Sequence, residues 1–228
     1  LIEHDGDYVL LDCPDLIHRA LYEASREAGW SVDASRIHHI LLTHLHGDHC
    51  NGLESFALHR MLERTEGKRL PLPTLHTSEP VARRLWERLA PALDEVCCFE
   101  SRPGLEDFFA IETLDAEQTL RMGGLSVRCR FTKHPVPTTG FLISDGSWTL
   151  GWSGDTAFDE DHIRWLAQAD VVVHETNHGP VHTPVEALNR LPDSVRRKLR
   201  LVHIPDDFDP ATTRISVLRQ GELLARTS

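Results

Sequence analysis

Four apolar runs in this 228-residue chain lead into side chains that can bind a metal ion. Ile40-Leu41-Leu42 enters THLHGDHC at 43–50, and LSVRCRF at 125–131 is followed by His134. SWTLGWS at 147–153 precedes Asp155, and LRLV at 199–202 precedes His203. Short apolar runs bounded by polar turns read as buried strands, and sheets built from such strands are covered by helices. The carboxyl ends of the strands converge at one edge, so ligands far apart in sequence can build one site. An α/β fold is the expected class.

The intervening segments supply the helices. Leu16, Ile17, Ala20, Leu21, Ala24 and Ala28 recur at helical spacing, and Gly29 ends that helix. Leu53 to Leu62 reads as helical, and GKRLPLP at 67–73 breaks the pattern. Ser78 is placed to cap a helix running to about Leu89, with Val81, Ala82, Leu85, Trp86 and Leu89 inward. Short strands are expected near 96–99 and 108–114, and a short helix over 159–168. GFLIS and SWTLGWS flank an Asp-Gly turn and predict a hairpin. VVVHE at 171–175 is a buried strand, and Thr183, Pro184 and Glu186 form a helix-capping signature. The chain opens on LIE, an Asp-Gly turn and YVLLD, a hairpin already under way, which suggests that a first strand of the natural chain is missing.

Composition narrows the function. With 40% hydrophobic residues the chain can bury a sizeable core, and no linker, repeat or low-complexity tract divides it, so residues 1–228 are expected to form one domain. No apolar run approaches the ~20 residues of a membrane span, and no leader-like segment opens the chain. The five cysteines, Cys13, Cys50, Cys97, Cys98 and Cys129, form no C-x-x-C pair and read as reduced thiols of a cytoplasmic protein. The net charge of −11 argues against long nucleic acids as partners. RRKLR at 196–200 reads as a solvated helix face.

The spacing within THLHGDH is informative. His44 and His46 lie two apart, so in extended backbone they share a face and can bind one ion. Asp48 and His49 follow Gly47, which permits a tight turn, and point toward a neighbouring position. One ion cannot take all four from so short a loop, whereas two ions about 3.5–4 Å apart can. Ligand counting then assigns His44, His46 and His134 to one ion and Asp48, His49 and His203 to the other, with Asp155 bridging. A cysteine-free set of imidazoles and carboxylates with open positions is that of a hydrolytic site; zinc fits it, and manganese or iron is compatible.

These motifs resemble the metallo-β-lactamase superfamily, whose signature is T-H-x-H-x-D-H. HPVPTTGF at 134–141, SGDT at 153–156, HET at 174–176 and VHT at 181–183 resemble, in order, segments of its ribonuclease Z and small-phosphodiesterase branch. The resemblance implies a four-layer αβ/βα sandwich and hydrolysis by a hydroxide held between two ions. It also implies that Asp48 orients this nucleophile, and that His174, held by Glu175 or another carboxylate, protonates the leaving group. His182 either orients a substrate phosphate or merely precedes a helix. The glycine-rich, basic arm by which ribonuclease Z grips transfer RNA has no counterpart between His49 and His134, so a small phosphodiester or short nucleotide is the expected substrate. A lactone or ester hydrolase is the alternative, and a non-hydrolytic di-iron redox protein of the same fold is another. Only the resemblance suggests a homodimer.

Asp12, ending YVLLD, is expected to bond loop amides or a ligand histidine from behind the site. Cys50 reads as a small buried side chain, and Phe99, Phe108 and Phe109 as core. His4, His18, His38, His39, His59, His76, His162 and His178 receive no role.

Overall fold

The Asp5-Gly6 turn forms as its sequence predicts. Both residues take positive φ, 51° and 87°, and the flanking strands β1 (Ile2–His4) and β2 (Asp7–Leu11) pair antiparallel. The computed structural model describes residues 1–96 and 99–224. These divide into two compact units, Leu1–Leu114 with Gln220–Leu223, and Asp115–Arg219 with Leu224.

In the first unit the hairpin leads to helix α1 (Ile17–Ala28), strand β3 (Ile37–Leu41), the single turn α2 (Gly47–Cys50) and helix α3 (Gly52–Thr65). Strand β4 (Thr74–Ser78), helix α4 (Glu79–Leu93) and strand β5 (Ala110–Leu114) complete it. The sheet order is β1-β2-β3-β4-β5, with β2 to β5 parallel. Tyr8, Leu10, Ile40, Leu42 and Leu75 share a core with Ile17 and Leu21 of α1, Phe56 of α3, and Val81 and Leu85 of α4. Phe108 and Phe109 are core as expected, with Phe99 packed against them.

Several boundaries differ from the sequence reading. Leu16 is exposed in a left-handed conformation ahead of α1, so the inward stripe starts at Ile17. Helix α4 continues past Leu89 to Leu93, and Ser78 stands at its N-cap without a side-chain capping bond. The strand Thr74–Ser78 was not expected, because TLHTS carries little apolar signal. Its polar groups find partners inside: Thr77 Oγ1 donates to Leu42 O at 2.8 Å, and His76 Nε2 lies 3.0 Å from His39 Nδ1. The strand expected near 96–99 falls on positions 97 and 98, outside the described residues.

The second unit holds strands β6 (Leu120–Met122), β7 (Leu125–Phe131), β8 (Thr139–Ser144) and β9 (Thr149–Trp152), then helix α5 (Glu160–Leu166) and strand β10 (Val171–Glu175). Helices α6 (Val185–Asn189) and α7 (Asp193–Arg196) precede strands β11 (Leu199–Val202) and β12 (Ser216–Val217). The order is β12-β11-β10-β9-β8-β7-β6; β6 to β9 form an antiparallel meander and β9 to β12 run parallel. Leu142, Val172, Leu199 and Leu201 pack with Ile163, Leu166 and Leu188.

Two capping and charge expectations are corrected here. The Thr183 hydroxyl does not cap α6; it donates to Thr156 O at 2.9 Å. RRKLR is not one helix face: Arg196 ends α7, Lys198 Nζ is bonded to Ala167 O and Ala169 O, and Arg200 lies in β11. Cys13, Cys50 and Cys129 are unpaired, buried thiols, and burial pushes all three above the ordinary cysteine range. Among the described residues no helix is long and apolar enough to cross a membrane.

His76 yields a stability prediction. Only 1% of its surface is exposed, and burial, with His39 beside it, lowers its pKa from 6.5 to about 4. The folded chain therefore binds fewer protons than the unfolded one between these values. The stabilisation is complete above pH 6.5 and is lost as pH falls toward 4. Denaturant unfolding of metal-free protein at pH 7 and pH 5 should show a loss that shrinks by about 2 kcal/mol in His76→Gln. An unchanged pH dependence in that variant would contradict the assignment.

Candidate metal centre

Thr43 follows the end of β3, and His46, with an extended backbone, stands at the start of α2. His44 Nε2 lies 3.0 Å from His46 Nδ1, with the rings edge-to-face at 4.7 Å. Gly47 then opens α2, which carries Asp48 on its exposed side and His49 inward. His49 Nε2 sits 3.5 Å from Asp48 Oδ2.

Behind this loop lies Asp12, as expected from the sequence. It is 4% exposed and has φ 56°, a conformation that a non-glycine residue adopts only when its surroundings enforce it. Its carboxylate accepts Thr43 N at 2.7 Å, Thr43 Oγ1 at 2.9 Å and His49 Nδ1 at 2.8 Å. With Nδ1–H committed to a carboxylate, His49 keeps its lone pair on Nε2, the arrangement of a metal-ligating imidazole. The Thr43 hydroxyl gives its proton to Asp12 and can therefore accept Nδ1–H from His44, 2.9 Å away. One buried carboxylate thus sets the tautomers of two candidate ligands. Thr43, which the sequence reading treated only as part of a motif, is the link.

The second unit presents its own donors. His134 Nδ1 lies 3.3 Å from Val181 O, which again leaves Nε2 as the ligating atom. Asp155 sits in the turn after β9, where Gly154 has φ 59° and a Cβ there would stand 2.6 Å from Thr139 O. Asp155 Oδ2 lies 3.9 Å from His182 Nδ1 and 3.8 Å from His203 Nε2. One donor atom from each of Asp155, His182 and His203 falls within 4.8 Å of the others, the spacing of groups that could share an ion. His203, like Asp12, takes a positive φ, 52°. Asn177 Nδ2 lies 3.3 Å from His203 Nδ1, and His178 pairs with Asp207 at 2.8 Å.

Strand alternation separates His174 from Glu175. Val172 and His174 fall on the face packed by Leu166 and Leu188, and Glu175 on the other. His174 has no exposed surface, and its Nδ1 donates to Glu175 O at 2.6 Å. Burial pushes its pKa down to about 4, and its Nε2 finds no hydrogen-bond partner among the described residues. Glu175 Oε1 accepts Thr156 N at 2.8 Å and His182 Nδ1 at 3.1 Å. The His182 ring lies 5.6 Å from His134 and 5.3 Å from His203. Glu175 and His182 therefore form a carboxylate–imidazole pair beside Asp155, and His174 stands behind them in the core.

A family profile described as anti-Pycsar protein Apyc1 matches residues 1–224. The chain is 31% identical over 228 residues to an anti-Pycsar protein Apyc1 of Paenibacillus harenae, covering 96% of this chain and 87% of that protein. It is 28% identical over 207 residues to the cGMP-dependent 3′,5′-cGMP phosphodiesterase A of Dictyostelium discoideum, covering 83% of this chain and only 22% of that longer protein. Among solved structures it resembles the metallo-β-lactamase fold protein YhfI of Bacillus subtilis, with TM-score 0.72, 18% identity, and coverage of 91% of this chain and 78% of the other.

The hydrogen bonds of Asp12 make a testable demand. Asp12→Asn keeps the shape but places an amide where a carboxylate receives His49 Nδ1–H. Zinc titration of the metal-stripped protein should show affinity weakened about 10–100-fold. Affinity equal to the parent protein's would mean that Asp12 serves the loop's fold alone.

Proposed function

This chain belongs to the anti-Pycsar Apyc1 family and has the metallo-β-lactamase fold, and from that premise we propose that it is a dinuclear metal phosphodiesterase opening 3′,5′-cyclic mononucleotides. It is a metal-dependent enzyme of the phosphodiesterase kind. In this reading His44, His46 and His134 hold one ion, Asp48, His49 and His203 hold the other, and Asp155 serves both. The donor chemistry fits divalent metals: His49 and His134 each commit Nδ1 to an oxygen and keep Nε2 for an ion. Zinc is the proposed metal, with manganese or iron suited to the same donors.

When bound, such ions supply Lewis acidity and an activated water. The chain's own groups do the rest. Asp48 directs the water toward phosphorus. As the water oxygen bonds to phosphorus and the cyclic ester P–O bond breaks, the leaving alkoxide needs a proton. We assign that proton to Nε2 of His182 in its doubly protonated, imidazolium form: Glu175 accepts Nδ1–H, steadies the positive ring and fixes its direction, and giving up the Nε2 proton leaves the ring neutral with Nδ1–H still on Glu175. The product is a nucleoside monophosphate. His174, the donor expected from the sequence, is buried and neutral, and its role here is to hold the end of β10.

The observation that carries this reading is the Asp155–His182–His203 group with Glu175 behind His182. The Dictyostelium relative's 3′,5′-cGMP activity supports the substrate class, and the net charge of −11 argues against a long polyanion.

The test is turnover of 3′,5′-cyclic nucleotides by zinc-loaded protein, with a lactone as control. His182→Ala should lower kcat about 100-fold or more while two zinc ions stay bound. Hydrolysis of the lactone alone would overturn the substrate class. A folded His174→Asn that loses turnover, beside an active His182→Ala, would return the proton to His174.

A further inference from the structure

The turn Ser153-Gly154-Asp155-Thr156 is held from every side. Ser153 N donates to Val173 O at 3.0 Å, and its hydroxyl accepts Glu175 N at 2.9 Å. Thr132 Oγ1 donates to Asp155 O at 2.6 Å, and Thr183 Oγ1 to Thr156 O. These anchors come from strand β10 or from loops that also carry candidate site residues. One further anchor does not. His162, on helix α5, directs Nε2 to Ser153 O at 3.0 Å.

His162 has no exposed surface and no role in the chemistry described above. Its ring stacks on Trp165 at 5.6 Å and 22°. Strand β8 passes so close that a Cβ on Gly140 would stand 2.7 Å from His162 Cε1 and 2.6 Å from Ser153 O. The imidazole thus lies between Gly140 of β8 and one carbonyl, two residues before Asp155, with no space for a side chain at Gly140. Burial holds the ring neutral, with its pKa lowered to about 4, so its single N–H sits on Nε2 and serves that carbonyl. Nδ1 has no hydrogen-bond partner among the described residues. A buried nitrogen in that state is a cost that leucine, filling the same space, would not incur. Packing alone therefore does not account for histidine here.

We propose that His162 is a positioning residue, which through the Ser153 carbonyl fixes where the Asp155 carboxylate stands for metal binding. The inference rests on the reading of Asp155 as a metal ligand. It gives α5 a function and makes Gly140 part of the support, since any side chain there would displace the same imidazole.

The test is calorimetric titration of the metal-stripped full chain with zinc, alongside turnover of bis(p-nitrophenyl) phosphate and thermal melts of the metal-free proteins. His162→Leu should melt within a few degrees of the parent, yet bind its weaker zinc about 10–100-fold less tightly and lose turnover in proportion. His162→Gln, whose amide N–H can reach the same carbonyl, should recover affinity to within about threefold of the parent. Should His162→Leu not fold, His162→Asn, whose amide falls short of Ser153 O, carries the same expectation. A folded variant lacking the donor but with parental zinc affinity would overturn the proposal, provided Asp155→Asn loses zinc in parallel. If Asp155→Asn also binds like the parent, Asp155 is no ligand, and the reading of the site itself has failed.

Discussion

One buried carboxylate organises the first donor set. Asp12 ends the hairpin strand, turns the backbone through a positive φ and receives three hydrogen bonds from the loop that follows the neighbouring strand. A charge this deep is tolerable only when fully engaged, and its partners here are an amide, a hydroxyl and an imidazole. The consequence is chemical as much as structural. The same bonds that satisfy Asp12 dictate which nitrogen of His49 carries a proton, and through Thr43 which nitrogen of His44 does. The imidazoles of the loop THLHGDH are oriented because YVLLD supplies the counterpart. The second unit repeats the logic with Glu175, which ties the turn bearing Asp155 to the ring of His182.

Much of this was readable from the residues. The hairpin turns, the strands at 37–41, 125–131, 171–175 and 199–202, and the core helices follow from apolar periodicity and turn chemistry. His44 and His46, two apart in sequence, do come together, with rings 4.7 Å apart. The faces of β10 are not legible in the same way. VVVHE is apolar on both faces, so its pattern states that His174 and Glu175 point opposite ways and not which one points to the core. The ordered motif therefore points to His174, whereas the proposal here assigns the proton to His182, which bonds Glu175. TLHTS was missed for a related reason. Its strand character comes from partners supplied by β3, Leu42 O for Thr77 and His39 for His76, which no local pattern contains.

His162 marks the other boundary of sequence reading. Its neighbours in the chain, Asp161 and Ile163, give an ordinary amphipathic helix, and only the fold brings its ring to Ser153 O. Supporting residues of this kind leave no local signature because their function is to hold another residue's backbone. They are found by asking why a costly polar group is buried where an apolar one would pack.

The proposed function requires that the chain hold two metal ions. Elemental analysis of the purified full chain, stripped by chelation, reloaded with zinc and dialysed, measures this directly. The expected result is two zinc ions per chain. A stoichiometry of one or none, in protein that remains folded by circular dichroism, would contradict it.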